Sequence, residues 1–230
     1  MKKLAVYSFV LILIAASTLT LSTRGVDAQG AGLVSSILSR MDQNRRSLRS
    51  LRAGVVMEKY NAQIRDKDYS KGSVIYQPAA KNANVRVDWV EPQKETLAVS
   101  GGKYTLYRPR LGMAYEGSAN SEKNKVSGVL GFGLNVSGSE LRNKFEVEPL
   151  GKRELSGAIT DHIKLTPRGK VGYSYAEIWV DGSGMPVQTK VVERNGDTTT
   201  VQLQNIHRNA RVASGDFRLD LPGNVKRVRS

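Results

Sequence analysis

The chain has 230 residues, no cysteine, two histidines and a formal net charge of +14 at pH 7. The missing cysteines exclude disulfides, thiolate zinc sites and cysteine nucleophiles. The length suits one domain with a sizeable core. The charge favours an anionic membrane surface over nucleic acid as a partner, because basic–aromatic recognition motifs are lacking. An ordinary solvated surface is the alternative interpretation of the same charge.

The first 28 residues have the pattern of a secretory signal peptide. Lys2 and Lys3 precede an apolar run over residues 4–21, and Val26 and Ala28 take the −3 and −1 positions of a cleavage site. The run is long enough that a retained membrane anchor stays an alternative. We therefore expect a signal peptide over 1–28, a single domain over 29–230, and export to a periplasm-like space, where a cysteine-free fold depends on its core.

Residues 32–51 are predicted to form an amphipathic helix. Its apolar stripe has helical spacing and consists of Leu33, Ile37, Met41, Leu48 and Leu51, with Val34 and Leu38 beside it. Arg45, Arg46 and Arg49 lie away from the centre of this stripe. We expect the helix to pack on a sheet, and binding to a membrane surface is the alternative.

Short strand-like segments follow the helix. They cover residues 53–65, 72–78, 85–91, 96–100, 103–107 and 113–115. Val85, Val87 and Trp89 alternate with polar residues, which is typical of a strand with one buried face. Gly101 and Gly102 predict a tight hairpin, because paired glycines accept the positive φ of two-residue loops.

Residues 123–144 differ from the strands on either side. Apolar side chains alternate there with Gly128, Gly131, Gly133 and Gly138. Each interior glycine costs a helix about 1 kcal/mol, so the segment predicts short helices of low stability. We interpret it as a movable cover, with an ordinary surface connection as the alternative.

The last part of the chain predicts an antiparallel meander. Strand-like segments 176–180, 186–193 and 198–205 are joined by turn sequences at 181–184 and 195–197, and residues 216–225 follow. A long meander with one apolar face must curve on itself or be covered. Two sets of strands around one helical interruption predict a single domain of the α+β class.

Signatures of catalysis and metal binding are weak. Asp161 and His162 have no serine in a Gly-x-Ser-x-Gly elbow to accompany them. Residues 66–70 resemble the start of a calcium loop, but Lys71 and Gln77 replace the glycine and glutamate that such a loop needs, so we interpret them as a hairpin tip. The sequence predicts no catalytic residue, no metal and no cofactor, and we do not expect an enzyme.

Three segments carry a resemblance to a known family. They are LAVSGGKYTLYRP at residues 97–109, GSVIYQP at 72–78 with VDW after it at 87–89, and FRLDLPGNV at 217–225. Their order, over residues 33–225, resembles the LolA family of periplasmic outer-membrane lipoprotein carriers. Members often have an arginine before the proline of the second segment, thought to help fasten the lid. Gln77 stands at that position here, with Arg86 and Arg108 as candidates to replace the arginine.

The resemblance implies a curved antiparallel sheet that forms a half-open barrel, with an N-terminal helix and short lid helices over an apolar cavity. It implies acylated lipoproteins as cargo, an inner-membrane ABC-type lipoprotein releasing complex as donor, an outer-membrane acceptor, and a monomeric carrier. The candidate cavity-lining residues are Val74, Tyr76, Val87, Trp89, Leu97, Leu106, Leu130, Phe132, Leu134, Ile178 and Val180. Plain core packing is the alternative for each of them. A lipid-sensing regulatory module, or a carrier of another lipid with the same half-barrel, is the alternative function.

Overall fold

The structure is a computed structural model and describes residues 24–79, 83–119, 134 and 136–229, with side chains from residue 30 onward. Two α-helices lie in this part of the chain, α1 at Arg24–Ser47 and α2 at Gly138–Lys144. The strands are β1 Leu51–Asn61, β2 Asp66–Gln77, β3 Asn84–Glu91, β4 Glu95–Ser100, β5 Lys103–Arg108, β6 Met113–Ser118, β7 Phe145–Leu155, β8 Ala158–Pro167, β9 Tyr173–Val180, β10 Pro186–Glu193, β11 Thr198–Arg208 and β12 Lys226–Arg229.

The described strands form one sheet in the order β12-β6-β5-β4-β3-β2-β1-β11-β10-β9-β8-β7. Neighbouring strands are antiparallel except β12 and β6, which run parallel. The edge strands β12 and β7 do not pair with each other, so the sheet curves without closing. The predicted α+β fold with a curved, half-open sheet is confirmed, and the parallel pair is its one departure from an antiparallel arrangement.

The core lies between the concave face of the sheet and α1. Side chains at every second position of the strands are buried on this face, as on β1, where Leu51, Ala53, Val55 and Met57 alternate with half-exposed neighbours. The helix contributes Val34, Ile37, Leu38 and Met41 to the same cluster, and Leu48 joins it just after the helix ends. The predicted packing of the helical stripe on a sheet is therefore confirmed.

Two details of the predicted helix are wrong. Leu33, placed on the stripe, is 41% exposed. The helix ends at Ser47, and Leu51 is already the first residue of β1. The hydroxyl of Ser47 donates to the carbonyl of Asn44 in the last turn, which competes with continuation of the helix.

Helix α1 is attached to the β8–β10 side of the sheet. Arg40 forms an ion pair with Asp161 at the start of β8, and its Nη1 donates to the carbonyl of Gly182 at 3.3 Å. In the β9–β10 turn, a Cβ atom on Gly184 would lie 2.2 Å from the carbonyl oxygen of Arg40. The turn and the helix backbone are thus in direct contact, and glycine is needed between them.

Helix α2 fastens the end of the predicted cover to α1. Its N-terminus is capped by Ser137, whose Oγ accepts from the backbone N–H of Glu140 at 3.2 Å. Hydrogen bonds from Ser137 to the carboxylate lower the pKa of Glu140. The N–H of Gly138 donates to Asp42 of α1 at 3.0 Å. The predicted cover before residue 134, and the apolar run over residues 4–21, lie outside the described residues.

Three elements differ from the sequence-based expectation. Residues 66–70, interpreted as a hairpin tip, begin β2, and the turn precedes them at 62–65. Strands β7 and β8 were not predicted, because Pro149 and Gly151 interrupt the pattern of β7. The sheet absorbs this interruption as a register shift on an edge strand, where proline is tolerated.

The segment between β11 and β12, residues 209–225, which we call the closing segment, crosses the convex face of the sheet. A 3-10 helix over Ser214–Phe217 packs on β3 and β4, and Phe217 is 2% exposed. Arg86 Nη1 donates to the carbonyl oxygens of Asp216 and Arg218 at 3.2 and 3.4 Å. The chain then reaches β6 as the short parallel strand β12. Within the described residues, no helix has the apolar length that a membrane crossing requires.

Candidate functional site

A cleft of about 730 Å³ opens at one end of the concave face of β1 to β6. It lies where the β1–β2 hairpin, the β3–β4 turn and the β5–β6 connection come together. Its apolar wall is formed by Met57, Trp89, Leu97, Tyr104, Leu106 and Tyr115. Its charged rim includes Lys59, Asp68, Glu91, Glu95 and Arg108. The volume falls within the range of small-molecule sites.

The strand register brings the wall residues side by side. Leu97 of β4 pairs with Leu106 of β5, and Leu106 pairs with Tyr115 of β6. Leu97 is buried, whereas Leu106 and Tyr115 are only half-buried. The wall therefore continues the core outward, and its outer part remains open to a ligand.

The tight approach of β2 and β3 shapes the inner end of the cleft. Gly72 pairs with Trp89 next to a register shift, and a Cβ atom at this glycine would lie 2.2 Å from the carbonyl oxygen of Asp88. Only glycine allows this approach. The indole of Trp89, 8% exposed, occupies the adjoining wall and separates the core from the open part of the cleft.

The rim carries fixed charges on the β4–β5 side. Glu95 Oε1 accepts from Nε2 of Gln93 at 2.9 Å and lies 3.1 Å from Nε of Arg108. The guanidinium carbon of Arg108 is 5.5 Å from the centroid of the Tyr115 ring, within the range of cation–π contacts. On the opposite side, Lys71 pairs with Glu91 at 3.1 Å.

The structure separates the candidate cavity residues into groups. Trp89, Leu97 and Leu106 line the cleft. Val74, Tyr76, Val87 and Leu134 are buried in the core cluster beside it. Ile178 and Val180 are fully buried on β9, on the side of the sheet where α1 packs, and are not among the residues that line this cleft. Leu130 and Phe132 lie outside the described residues.

The two candidate arginines, Arg86 and Arg108, lie on opposite faces of the sheet, and most of the cover that either would fasten lies outside the described residues. Gln77 accepts from Nδ2 of Asn84 at 3.4 Å. Arg86 binds Asp88 and the closing segment on the convex face, and Arg108 lies on the rim of the cleft. On the same strand as Gln77, the hydroxyl of Tyr76 donates to the carbonyl of Leu134 at 3.4 Å. Leu134 belongs to the described end of the cover.

The two features closest to a catalytic pattern serve structural contacts. Asp161 and His162 are consecutive on β8, so their side chains point to opposite faces. Asp161 pairs with Arg40, whereas His162 stacks on Trp179 with ring centroids 4.1 Å apart and has Nε2 2.9 Å from Glu177. The aspartate therefore does not orient the imidazole.

Sequence reasoning missed half of the cleft wall and most of its rim. Tyr104, Leu106 and Arg108 alternate along β5 and share its inner face, a signal that the sequence contained. Met57 and Tyr115 were missed as well, although each pairs with an adjacent strand along the chain, Met57 with Ser70 and Tyr115 with Leu106.

Comparison with known proteins places this fold in a family. The family model for the outer membrane lipoprotein carrier protein LolA matches residues 61–220. An outer-membrane lipoprotein carrier protein of Bordetella avium (strain 197N) is 26% identical over 137 residues, which cover 59% of this chain and 61% of the relative. The match thus spans less than two thirds of that relative's length.

Solved structures share the fold at low sequence identity. An uncharacterized conserved protein from Thermus thermophilus superposes with a TM-score of 0.56 and 12% identity, covering 86% of this chain and 99% of the other. MucB in the Pseudomonas aeruginosa MucA/MucB complex superposes with a TM-score of 0.50 and 14% identity, covering 81% and 60%. These two likenesses concern the fold alone. From the family match over most of its length, the chain belongs to the LolA family of outer membrane lipoprotein carriers.

Proposed function

We propose that the protein is a periplasmic carrier that shelters the acyl chains of lipoproteins in the cleft and moves them from the inner to the outer membrane. Its donor would be an inner-membrane ABC-type releasing complex, and its acceptor an outer-membrane lipoprotein receptor. The observation that carries the proposal is the open apolar wall formed by Trp89, Leu97, Leu106 and Tyr115. Membership of the LolA family and the name of the Bordetella relative support the same role.

The chemistry of the wall suits a transient hydrocarbon ligand. Burial of an acyl chain of about fifteen methylenes gains at most about 12 kcal/mol, at roughly 0.8 kcal/mol for each methylene. A half-open cleft buries only part of the chain and therefore uses only part of this free energy. The carrier then binds strongly enough to keep the chain out of water, yet weakly enough to release it to an acceptor.

We further propose that a signal peptide is removed after Ala28. Helix α1 begins at Arg24, so cleavage there removes its first residues. The buried stripe of α1 begins at Val34, and the mature protein therefore keeps the packing of this helix. The single carrier domain then corresponds to residues 29–230 and acts as a monomer.

A protein-binding module is the second candidate function. The shared fold of MucB, solved in complex with MucA, is the observation that favours it. This function predicts a stable complex with a partner protein in the absence of any acyl ligand. The carrier function predicts instead that acyl ligand binds to the isolated chain.

The two tryptophans provide a direct test. Trp89 lines the cleft, whereas Trp179 stacks on His162 on the convex face. We expect a lipopeptide with brominated acyl chains to quench the fluorescence of the Trp179→Phe variant, in which Trp89 is the reporter. The same lipopeptide should leave the Trp89→Phe variant unquenched. Equal quenching of both variants, or of neither, would refute acyl binding in the cleft.

A matched pair of charge substitutions provides the control for folding. Leu106→Asp places a carboxylate on the apolar wall, where desolvation by an acyl chain is costly. Ile159→Asp makes the same type of change on β8 at a side chain that is 59% exposed and outside the cleft. We expect Leu106→Asp to lower lipopeptide affinity at least about tenfold and Ile159→Asp to leave it unchanged, with both variants folded by circular dichroism.

A further inference from the structure

A second, smaller cavity adjoins the cleft on its β4–β5 side. It has a volume of about 270 Å³, and we call it the side pocket. Its lining residues are Gln93, Lys94, Glu95, Arg108, Arg110 and Leu111. Gln93, Glu95 and Arg108 line both cavities, so the side pocket and the cleft are continuous.

The side pocket is strongly basic. Lys94, Arg108 and Arg110 face a single carboxylate, that of Glu95. The opposite side of the cleft has the reverse character, because Asp68 and Glu91 lie there. On that side Lys71 forms an ion pair with Glu91 at 3.1 Å, and Asp68 is the cross-strand neighbour of Lys59 in the β1–β2 register. The charge distribution across the mouth thus attracts an anion to the side pocket.

The side pocket is also built from fixed parts. The connection that carries Arg110 is a 3-10 turn between Pro109 and Gly112, in which the N–H of Gly112 donates to the Pro109 carbonyl at 3.0 Å. The carbonyl of Gly112 accepts from the N–H of Lys226 at 2.9 Å, which ties the turn to β12. Glu95 holds Gln93 and Arg108 in place from the other side.

The pairing of Arg108 leaves capacity for a ligand. Its Nε is buried and faces Glu95 at 3.1 Å, whereas the side chain as a whole is 38% exposed, so the terminal nitrogens of the guanidinium stay within reach of a ligand. Charge-assisted hydrogen bonds from these nitrogens to a phosphate or carboxylate oxygen would be strong. Guanidinium groups favour such oxyanions because their donors form a planar fork.

We propose that the ligand of the cleft is an acyl lipid with an anionic head group, phosphate or carboxylate, and that the side pocket binds this group. The acyl chain would lie along Leu97, Leu106 and Tyr115 while the head group meets Arg108 and Arg110. This inference rests on the proposed carrier function, since it assigns the polar end of the ligand whose chain the cleft shelters. Burial of hydrocarbon is not directional and selects little among acyl chains. Selection among lipids would therefore come from the head group and from the side pocket of the protein.

The test compares two lipids that differ only in the anionic group. 1-Myristoyl lysophosphatidic acid and 1-monomyristoylglycerol share the acyl chain and the glycerol and differ by one phosphate, and both are titrated below micelle formation into the Trp179→Phe protein. We expect the anionic lipid to bind at least about tenfold more tightly, as one or two charge-assisted hydrogen bonds provide. Equal affinity for the two lipids would overturn the proposal and leave the carrier function intact. Binding of neither lipid would also overturn the proposal, and the quenching of Trp89 by lipopeptide would then decide on the carrier function separately.

Variants locate the selectivity within the side pocket. Lys94 and Arg110 are exposed, so a K94Q/R110Q double variant changes the pocket without disturbing the core. We expect the ratio of the two affinities to fall toward one, with unchanged affinity for the neutral lipid. The control is R65Q combined with K67Q, a change of equal charge at the tip of the β1–β2 hairpin and outside both cavities. A similar loss in both double variants would show general electrostatic attraction and overturn the assigned pocket.

A third ligand separates a lipid head group from a free anion. Glycerol 3-phosphate carries the phosphate without the acyl chain. We expect it to compete with the anionic lipid only at concentrations at least about a hundredfold higher, because it lacks the burial of the chain. Competition at equal concentration would identify a site for free phosphate and overturn the assignment to a lipid.

Discussion

The strands toward the two ends of the sheet share the same alternation of buried and exposed side chains, but the space that their inner faces enclose differs. On the β7–β10 side, Ile163, Leu165, Ile178 and Val180 are fully buried, and α1 and α2 lie against this side. We call this region the packed half. On the β3–β6 side, which we call the open half, Leu106 and Tyr115 are half-buried beside a cleft of about 730 Å³. An apolar strand face therefore becomes core or binding site according to what covers it.

Specific contacts decide where α1 packs. Arg40 pairs with Asp161 and binds the carbonyl of Gly182, and Asn44 donates to the sulfur of Met185 at 3.4 Å. All three partners belong to β8 or to the β9–β10 turn. The end of the open half near Trp89 has no such contact with α1 among the described residues. The cleft ends there at the indole of Trp89, whose strand β3 approaches β2 closely at Gly72.

The largest expected effect comes from breaking the contact between α1 and the packed half. A Gly184→Ala substitution places a Cβ 2.2 Å from the Arg40 carbonyl oxygen, at a residue with φ of +84°. Steric overlap and backbone strain together should cost about 4 kcal/mol of unfolding free energy. Gly182→Ala is the matched control in the same turn, with open space around its Cβ, and should cost less than about 0.5 kcal/mol. Urea denaturation measures both, and equal midpoints would contradict the packing described for this turn.

The second prediction compares similar truncations on the two sides. Ile178→Ala leaves a closed cavity in the packed half and should cost about 4 kcal/mol of unfolding free energy. Leu106→Ala removes the same number of carbons at the open cleft, and we expect a cost of only about 1 kcal/mol because water already reaches this site. Thermal unfolding gives the stabilities, and lipopeptide titration gives the affinities.

Binding should show the opposite order. Leu106→Ala should weaken acyl binding, whereas folded Ile178→Ala should keep the wild-type affinity. If Ile178→Ala weakened binding more than Leu106→Ala, the acyl chain would have to lie in the packed half, and the assignment of the cleft would fail.

The smallest expected effect concerns the buried side chain of Tyr76 on β2, a strand that lies between the open half and the packed half in the order of the sheet. Burial raises the pKa of Tyr76 to about 12, and Arg45 opposes this shift. The folded state therefore holds its phenolic proton more tightly than the unfolded state, whose pKa is about 10. The associated stability is present below pH 10 and is lost as the pH rises from about 10 to 12.

Unfolding experiments at pH 8 and pH 11 test this shift. We expect the wild type to lose about 1 kcal/mol more than Tyr76→Phe over this interval. A parallel pH dependence of the two proteins would show that Tyr76 ionises as freely in the folded state as in the unfolded one.

Local patterns predicted much of the fold but little of the site. The glycine pair at Gly101 and Gly102 and the alternation through Val87 and Trp89 correctly indicated a hairpin and a strand. The β7 strand was missed because Pro149 and Gly151 break its pattern, and its pairing with β8 compensates for that only in three dimensions. Of the candidate cavity residues, Trp89, Leu97 and Leu106 line the cleft, and the assignment of all the candidates, these three included, to an acyl site stays a prediction.

The amino-acid sequence by itself determined which side chains face inward, because alternation along a strand assigns them to one face before any tertiary contact forms. It also determined the class of fold, through the succession of short strands and the amphipathic helix. Tertiary structure alone decided which part of that inward face is covered. Ile178 and Leu106 are equally apolar, but α1 packs near the first and the strands around the second remain open. Cover depends on contacts between residues far apart in the chain, such as Arg40 with Asp161, and no local pattern encodes them.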